Sequence, residues 1–271
     1  MAVTTTLAVA NQKGGVAKTT SVASLGVALA ELGQRVLLVD LDPQACLTFS
    51  LGIDPEDVEA SMYDVLSGRT PASEVVLETE EGVDILPATI ELARTEAELF
   101  GKEGREEVVR AALDALLESM GRQTYDWILI DCPPSLGVLT VSSLTAADGV
   151  VIPLQCETLS HRGVGQLLDT IHDVRTFTNA GLEVWGVLPT MFDGRSRHAR
   201  TVLDTISATY EVDVLLPPVP KTIKFAEAPA RGQSILATSS RSKGAAAYRE
   251  VAEGLLNRTK RGRRRRAQRR S

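Results

Sequence analysis

Short apolar runs alternate with longer amphipathic stretches along nearly the whole chain. The apolar runs are rich in Val, Ile and Leu and alternate little with polar residues, which predicts strands of a parallel sheet covered on both faces. The predicted strands are 5–10, 35–40, 83–87, 127–131, 149–154, 183–189 and 212–216. The predicted helices are 18–32, 106–120, 138–147, 163–177 and 197–210. This order predicts an α/β fold, with a doubly wound, mostly parallel sheet, helices on both faces and ligands at the carboxyl ends of the strands.

The chain has 271 residues, of which 44% are hydrophobic, and no break in composition marks a second domain. We expect one domain over residues 1–257, large enough to need no disulfide support, and a basic, disordered tail at 258–271. The segment 54–79 is acidic and loop-rich, with one short helix expected near 62–66. Its role does not follow from its residues.

Charge is distributed unevenly along the chain. The net charge is −6, but residues 258–271 contain nine basic residues and no acidic ones, which leaves −15 for residues 1–257. An acidic body with a strongly basic tail indicates an anionic polymer as partner.

Several functional classes are disfavoured by composition. No apolar run approaches the ~18 residues that a membrane-spanning helix needs, and the first residues lack the basic segment of a signal peptide. The three cysteines, Cys46, Cys132 and Cys156, form no CxxC pair. We therefore expect a cytoplasmic protein without a disulfide framework or a structural zinc site.

A glycine-containing loop with a lysine on each side joins the first predicted strand to the first predicted helix, in the segment NQKGGVAKTT (11–20). A strand, such a turn and a helix N-terminus together cradle a nucleotide polyphosphate, with Lys18 near the outer phosphates and Thr19 placed for Mg²⁺. The ordinary pattern G-x-x-x-x-G-K-[ST] is not met, because Gln12 and Ala17 replace its outer glycines and Lys13 is additional. The loop is either a decayed phosphate site or a variant with an added lysine.

Two other apolar strands end in aspartate. Asp40 closes VLLVD and is followed by Asp42, and Asp131 closes WILID and is followed by CPPS. The carboxyl ends of parallel strands meet at one edge of a sheet, so these carboxylates should lie near the loop after the first strand. Acidic groups that hold Mg²⁺ and position water are what an ATPase requires, which favours the variant.

Three motifs of the chain together resemble those of a known superfamily. The segments KGGVAKTT (13–20), DLDPQ (40–44) and DCPPS (131–135) resemble the deviant Walker A, switch I and switch II/Walker B motifs of the ParA/MinD superfamily of P-loop NTPases. The segments TMFDGR (190–195) and FAEAP (225–229) are similar to those of the small Soj-like ParA proteins that partition plasmids and chromosomes. The resemblance extends from about residue 5 to about residue 255.

The resemblance implies an ATPase that binds ATP and Mg²⁺ and forms a homodimer on ATP binding. The dimer would bind double-stranded DNA non-specifically, associate with the nucleoid and be stimulated by a ParB-type centromere-binding protein. Lys13 would reach the partner's nucleotide, Lys18 would bind phosphates in cis, and Asp42 would orient the hydrolytic water. The implied nucleotide-contacting residues are Lys13, Gly14, Gly15, Val16, Ala17, Lys18, Thr19 and Thr20, and the implied metal-supporting residues are Thr19, Asp40 and Asp131.

DNA-binding residues are implied in two places. Arg-rich segments bind duplex phosphates without reading sequence, and the tail has no aromatic residue for stacking on single strands. The candidates are Arg195, Arg197, Arg200, Lys221 and Lys224 on the folded body and Arg263, Arg264, Arg265 and Arg266 in the tail.

Ala17 departs from the family, which usually has glycine there. If the backbone requires a positive φ, the alanine is strained. We therefore expect ATP to bind, with slower intrinsic hydrolysis.

Two alternatives share this loop. A MinD-like membrane-associated ATPase needs a C-terminal helix with an apolar face, and after Leu256 the chain has no Leu, Ile, Val, Phe or Trp. An iron-protein-like reductase needs cysteines that bridge two subunits, and Cys132 has no partner at a suitable spacing.

Overall fold

The computed structural model describes residues 4–121, 124–157 and 160–268, with residues 160 and 261–268 described by their backbone alone. Its centre is a seven-stranded sheet in the order β3-β4-β2-β5-β1-β6-β7. The strands are β1 (Thr5–Val9), β2 (Val36–Asp40), β3 (Leu77–Glu78), β4 (Asp84–Leu86), β5 (Trp127–Asp131), β6 (Gly149–Gln155) and β7 (Glu183–Thr190). All neighbouring pairs are parallel except β3 and β4.

Twelve α-helices are assigned within the described residues. They are α1 (Lys18–Glu31), α2 (Cys46–Ser50), α3 (Met62–Leu66), α4 (Ala72–Val75), α5 (Thr95–Leu99), α6 (Val108–Met120), α7 (Val138–Ala146), α8 (Ser160–Phe177), α9 (Arg197–Tyr210), α10 (Lys224–Glu227), α11 (Ile235–Thr238) and α12 (Lys243–Gln268). Successive strand residues belong to different cores: Leu7 and Val9 belong to the core that includes residues of α1 and α12, whereas Ala8 belongs to the core that includes residues of α6 to α9. Helices therefore cover both faces, which confirms the predicted fold class.

The predicted strand at 212–216 is wrong. This segment pairs with β7 at a single isolated bridge between Val187 and Val214. Pro217 and Pro218 follow at once, and proline cannot donate to a strand ladder, so the pairing does not extend. The edge strand β3, which pairs antiparallel with β4, was not predicted because its two residues are exposed and have no apolar pattern.

The final helix differs from the predicted disordered tail. Helix α12 continues through Gln268, so the expected boundary at residue 257 falls inside a helix, and residues 269–271 lie outside the described part of the chain. Arg258, counted above among the tail charges, is attached to the body: its guanidinium donates to the Trp185 carbonyl at 3.0 Å and lies 5.1 Å from the Trp185 ring centre. It also pairs with Glu183 and Asp213 at 3.4 and 3.8 Å.

Candidate functional site

The loop between β1 and α1, called here the phosphate loop (residues 10–17), forms an open cradle at the carboxyl edge of the sheet. Gly14 and Gly15 are exposed, and a Cβ built on either meets no atom within 4 Å. Helix α1 begins behind the loop with no side chain capping its first N–H groups and no acid in its first turn. Free amides at the positive end of a 14-residue helix suit a bound polyphosphate.

Ala17 adopts the positive-φ backbone conformation that favours glycine. Its φ is 67° and its ψ is 36°, in the left-handed region. Because this region brings Cβ close to the following carbonyl, a non-glycine residue there is disfavoured by about 1–2 kcal/mol.

The two lysines of the loop differ in environment. Lys18 is buried, with 7% of its surface exposed, and its Nζ makes only a long contact of 3.5 Å with the Lys13 carbonyl. Lys13 is half-exposed, and its Nζ lies 2.5 Å from Oε2 of Glu157 just beyond β6. Its backbone N–H donates to Asn11, which is itself held by the Pro153 carbonyl. In this structure Lys13 is therefore paired within its own chain, and its reach to a partner's nucleotide stays a prediction.

Strand register brings the aspartates beside the phosphate loop, as predicted. Asp131 is aligned with Val9 at the end of β1 and with Asp40 at the end of β2. Both Asp131 carboxylate oxygens are buried and have no hydrogen-bond partner among the described residues. Burial, and then the charge of Asp40, raise the pKa of Asp131 well above 3.8. The Thr19 hydroxyl, which is close to the carboxylate but does not meet hydrogen-bond geometry, and the charge of Lys18 lower it.

This arrangement suits a Mg²⁺ ion that shares its ligands between protein and phosphates, and not an ion held by protein side chains alone. No group of three or more His, Cys, Asp or Glu able to hold an ion is found among the described residues. Mg²⁺ commonly uses one or two carboxylates together with substrate phosphates. The unpartnered Asp131 and half-buried Thr19 offer oxygens where phosphates at the loop could supply the rest.

Asp40 is engaged differently from Asp131. Its Oδ2 accepts from the Thr48 N–H at 2.9 Å and from the Thr48 hydroxyl at 2.8 Å, and its Oδ1 accepts from the Asp42 N–H at 3.1 Å. Burial raises the pKa of Asp40 to about 6, and the donors from Thr48 act against this rise. Both oxygens of Asp40 thus hold its own loop, and its contribution to the Mg²⁺ shell stays a prediction.

Asp42 is half-buried at the same edge. It lies in the loop between β2 and α2, called here the Asp42 loop (residues 41–45), and its Oδ1 accepts from the Gln44 N–H at 3.0 Å. The predicted role of Asp42 in orienting water is compatible with this position.

Two supporting residues were missed at the sequence level. The Thr190 hydroxyl, buried at the end of β7, donates to the Val16 carbonyl at 3.0 Å and so holds the phosphate loop from the far side. Tyr248 on α12 bonds the Ser21 hydroxyl of α1 at 2.9 Å. A threonine at the end of a strand signals such a role only once strand order is known.

A cavity of about 730 Å³ opens beside the Asp42 loop, not over the phosphate loop. Its lining includes Pro43 and Gln44, the apolar Ile90, and more acidic than basic side chains. An acidic lining repels a polyphosphate, so this cavity does not suit a nucleotide, and the glycine loop stays the predicted nucleotide site.

The basic candidates on the body come together through tertiary structure. The Phe192 N–H donates to the Val219 carbonyl at 2.9 Å, and Phe192 bridges Pro220, so the loops after β7 and before α10 lie side by side. The five basic side chains these loops carry or adjoin are all exposed: Arg195, Arg197, Arg200, Lys221 and Lys224. The side chains of Arg263, Arg264, Arg265 and Arg266 lie outside the described part of the structure.

The reductase alternative gains no support from the two buried cysteines. Burial raises the pKa of Cys132 to about 12 and that of Cys156 to about 11, so neither is poised as a thiolate ligand. Among the residues described, none of the helices combines the length and apolar character needed to cross a bilayer.

Comparison with known proteins identifies a matching family model and similar curated relatives. Residues 4–184 match a family model described as an AAA domain. The chain is 42% identical over 248 residues to the sporulation initiation inhibitor protein Soj of Bacillus subtilis, covering 91% of this chain and 96% of that relative. It is 41% identical over 253 residues to the chromosome partitioning protein ParA of Caulobacter vibrioides, covering 93% and 94%.

A similar solved structure carries a different name. The structure of cobyrinic acid a,c-diamide synthase from Mycobacterium smegmatis, with bound ATP analog and magnesium, is 52% identical. It matches with a TM-score of 0.84 and covers 96% of this chain and 97% of that chain.

Proposed function

Because the chain belongs to the ParA/Soj family of deviant Walker A P-loop ATPases, we propose that it is an ATP-dependent dimerising ATPase that binds duplex DNA non-specifically and partitions a plasmid or chromosome. The observation that carries the proposal is the buried Asp131 carboxylate, which has no hydrogen-bond partner among the described residues and lies close enough to Lys18 to interact with its charge. A buried acid without a partner is costly in the free protein and becomes useful when a cation binds.

Each residue at the edge has a distinct task in the proposed reaction. Lys18 and the α1 amides bind the phosphates, Thr19 and Asp131 hold Mg²⁺, and Asp42 orients the attacking water. The metal, when bound, neutralises phosphate charge during hydrolysis. Lys13 leaves Glu157 and contacts the nucleotide of the second subunit, which makes phosphate neutralisation depend on dimerisation, as an arginine finger does.

Charge separation across the sheet supports the DNA part of the proposal. Residues 54–107, which include the edge strand β3 and its neighbour β4, contain 16 acidic and four basic residues, a net charge of −12. The opposite edge strand, β7, leads directly into the exposed arginines of α9. DNA would therefore approach the β7 side, and the acidic edge would face away.

The C-terminal basic segment supplies a second contact with phosphates. Arg258 is used inside the body, but seven basic residues follow Lys260. If about half of them bind phosphates, log K should change with log[salt] by a slope of about −3 from this segment. A ParB-type partner that stimulates hydrolysis, and a location at the nucleoid, complete the proposed cycle.

The test is ATP hydrolysis, dimerisation and DNA retention measured on the same protein. DNA retention should require ATP, decrease with salt and become less salt-dependent when residues 261–271 are removed. Asp42→Ala should hold the ATP dimer on DNA, and Lys18→Ala should abolish both ATP and DNA binding. Arg258→Ala is the matched control for charge removal, since it should lower stability with little effect on the salt slope. Equal retention without nucleotide would contradict the proposed switch.

A second candidate function comes from the name of the Mycobacterium smegmatis structure, which implies ATP-dependent conversion of carboxylates to amides. That activity would consume ATP only with a carboxylic acid and a nitrogen donor present, and it would not respond to DNA. Measuring hydrolysis with duplex DNA alone, and then with cobyrinic acid and ammonia or glutamine, separates the two. The exposed basic loops beside β7 favour the DNA-binding function.

A further inference from the structure

We propose that Thr48 is a positioning residue for ATP hydrolysis, which holds Asp42 in place by tying Asp40 to the loop after β4. The inference rests on the proposed function, because it concerns the residue that would orient the attacking water. Nothing in the sequence motifs assigns a role to Thr48, which lies four residues beyond DLDPQ on the short helix α2.

Thr48 is fully buried, and all of its polar atoms near this site are engaged. Its N–H and hydroxyl both donate to Oδ2 of Asp40, at 2.9 and 2.8 Å. The same hydroxyl accepts from the N–H of Ala88 at 3.0 Å. One hydroxyl thus serves as donor to a carboxylate and acceptor from a backbone amide, which no apolar side chain of the same shape can do.

The other oxygen of Asp40 completes the connection to Asp42. It accepts from the Asp42 N–H at 3.1 Å, and the Asp42 carbonyl accepts from the Ala45 N–H at 2.8 Å. The Leu41 N–H donates to the Asp131 carbonyl at 3.1 Å. The Asp40 carboxylate therefore holds the Asp42 loop through the Asp42 N–H at one end and through Thr48 just beyond its other end.

Hydrogen bonds extend this connection from Thr48 to the segment 54–79, to which the sequence assigned no role. Ala88 precedes Thr89, whose hydroxyl lies 3.2 Å from the Ser61 hydroxyl, and the Met62 N–H donates to the Pro87 carbonyl at 2.8 Å. Hydrogen bonds thus connect helix α3 and the loop after β4 to Thr48, and both elements line the cavity beside the Asp42 loop. The segment 54–79 is in this way linked to the residue that orients water.

Thr48→Val removes the hydroxyl while keeping the branched shape, and Thr48→Ser keeps the hydroxyl. We expect Thr48→Val to lower kcat at least tenfold with less than a threefold change in the KM for ATP, since the phosphate loop is untouched. Thr48→Ser should recover kcat to within threefold of the wild type. The control is Thr145→Val: Thr145 is also fully buried, but its hydroxyl bonds Thr178 at 2.8 Å, at the end of α7, so this variant should lose stability without losing kcat.

Amide hydrogen exchange over residues 41–48 of the nucleotide-free protein decides the inference independently of hydrolysis. Thr48→Val should raise exchange there at least tenfold, and Thr48→Ser and Thr145→Val should not. Unchanged exchange in Thr48→Val, or a kcat no lower than that of Thr145→Val, would overturn the positioning role. If the wild type hydrolyses no ATP with or without DNA, the proposed function fails, and the exchange result still supports or overturns the link through Thr48.

Discussion

Replacing Ala17 with glycine tests whether the strained backbone of the phosphate loop affects stability or ATP binding. Ala17 lies at the N-cap of α1 with φ 67° and ψ 36°, and no side chain caps the helix there. Ala45 occupies the same position before α2, with φ 52° and ψ 32°, outside the phosphate loop. Ala45→Gly is therefore a control for the same change of backbone freedom.

The expected magnitude follows from two opposing contributions. Glycine removes about 1–2 kcal/mol of left-handed strain, but it also gives the unfolded chain more freedom, which costs about 0.5–1 kcal/mol. The net gain in the free energy of unfolding should be about 0.5–1 kcal/mol for each variant. That corresponds to a rise in Tm of about 2 °C for a chain of this size.

We expect ATP affinity to change less than threefold in Ala17→Gly, because strain that the loop carries both with and without the nucleotide cancels between the two states. Denaturant unfolding gives the stability, and calorimetric titration with a non-hydrolysable ATP analogue gives the affinity. A tenfold gain in affinity without a gain in stability would refute the reasoning, since it would mean that the loop becomes left-handed only on binding. Faster hydrolysis in the glycine variant at unchanged affinity would support the expectation that Ala17 slows turnover.

The remaining predictions concern the charges around the loop. Asp131→Asn should stabilise the nucleotide-free protein at neutral pH and abolish its stabilisation by Mg²⁺-ATP. The raised pKa values of Asp131 and of Asp40, the latter to about 6, mean that the folded state binds more protons, so wild-type stability should fall as pH rises from about 5 to about 7. Unfolding midpoints across this range check the sign, and an equal slope in Asp131→Asn would contradict it. Glu157→Gln should release Lys13 from its ion pair and tighten ATP-dependent dimerisation about two- to fivefold, since a half-exposed ion pair contributes about 0–1 kcal/mol. Sedimentation with an ATP analogue measures the dimerisation, and Glu183→Gln is the control. Weaker dimerisation of Glu157→Gln would refute the prediction.

Much of the site could be predicted from the chain because its chemistry is local. Lys18 and Thr19 are the first two residues of the helix that follows the glycine turn. Their spacing from the glycines sets their positions at the helix N-terminus independently of the rest of the fold. Asp40 and Asp131 were placed together for a more general reason, since buried parallel strands end at a common edge. The register of β2 and β5 confirms this, because Asp40 and Asp131 are aligned residues.

The misses have a common origin in non-local contacts. The run 212–216 has the composition of a strand, but the prolines after it and the single bridge to Val187 decide that it is not one. From the sequence, Arg258 is indistinguishable from the other basic residues of the C-terminal segment. Its contact with Trp185, which the structure shows, holds α12 to β7. Thr48 carries no motif at all, because its partner Ala88 is 40 residues away.

The amino-acid sequence by itself therefore determined the phosphate loop, the acidic strand ends and the α/β class, since each depends on neighbours along the chain or on a rule common to all parallel sheets. The tertiary structure alone decided the conformation of Ala17, the pairing of Lys13 with Glu157 and the link from Thr48 to Asp42. It also decided that acidic and basic segments lie at opposite edges of the sheet. These depend on strand order and on contacts between distant residues, which periodicity does not specify because many strand orders satisfy the same pattern of apolar positions.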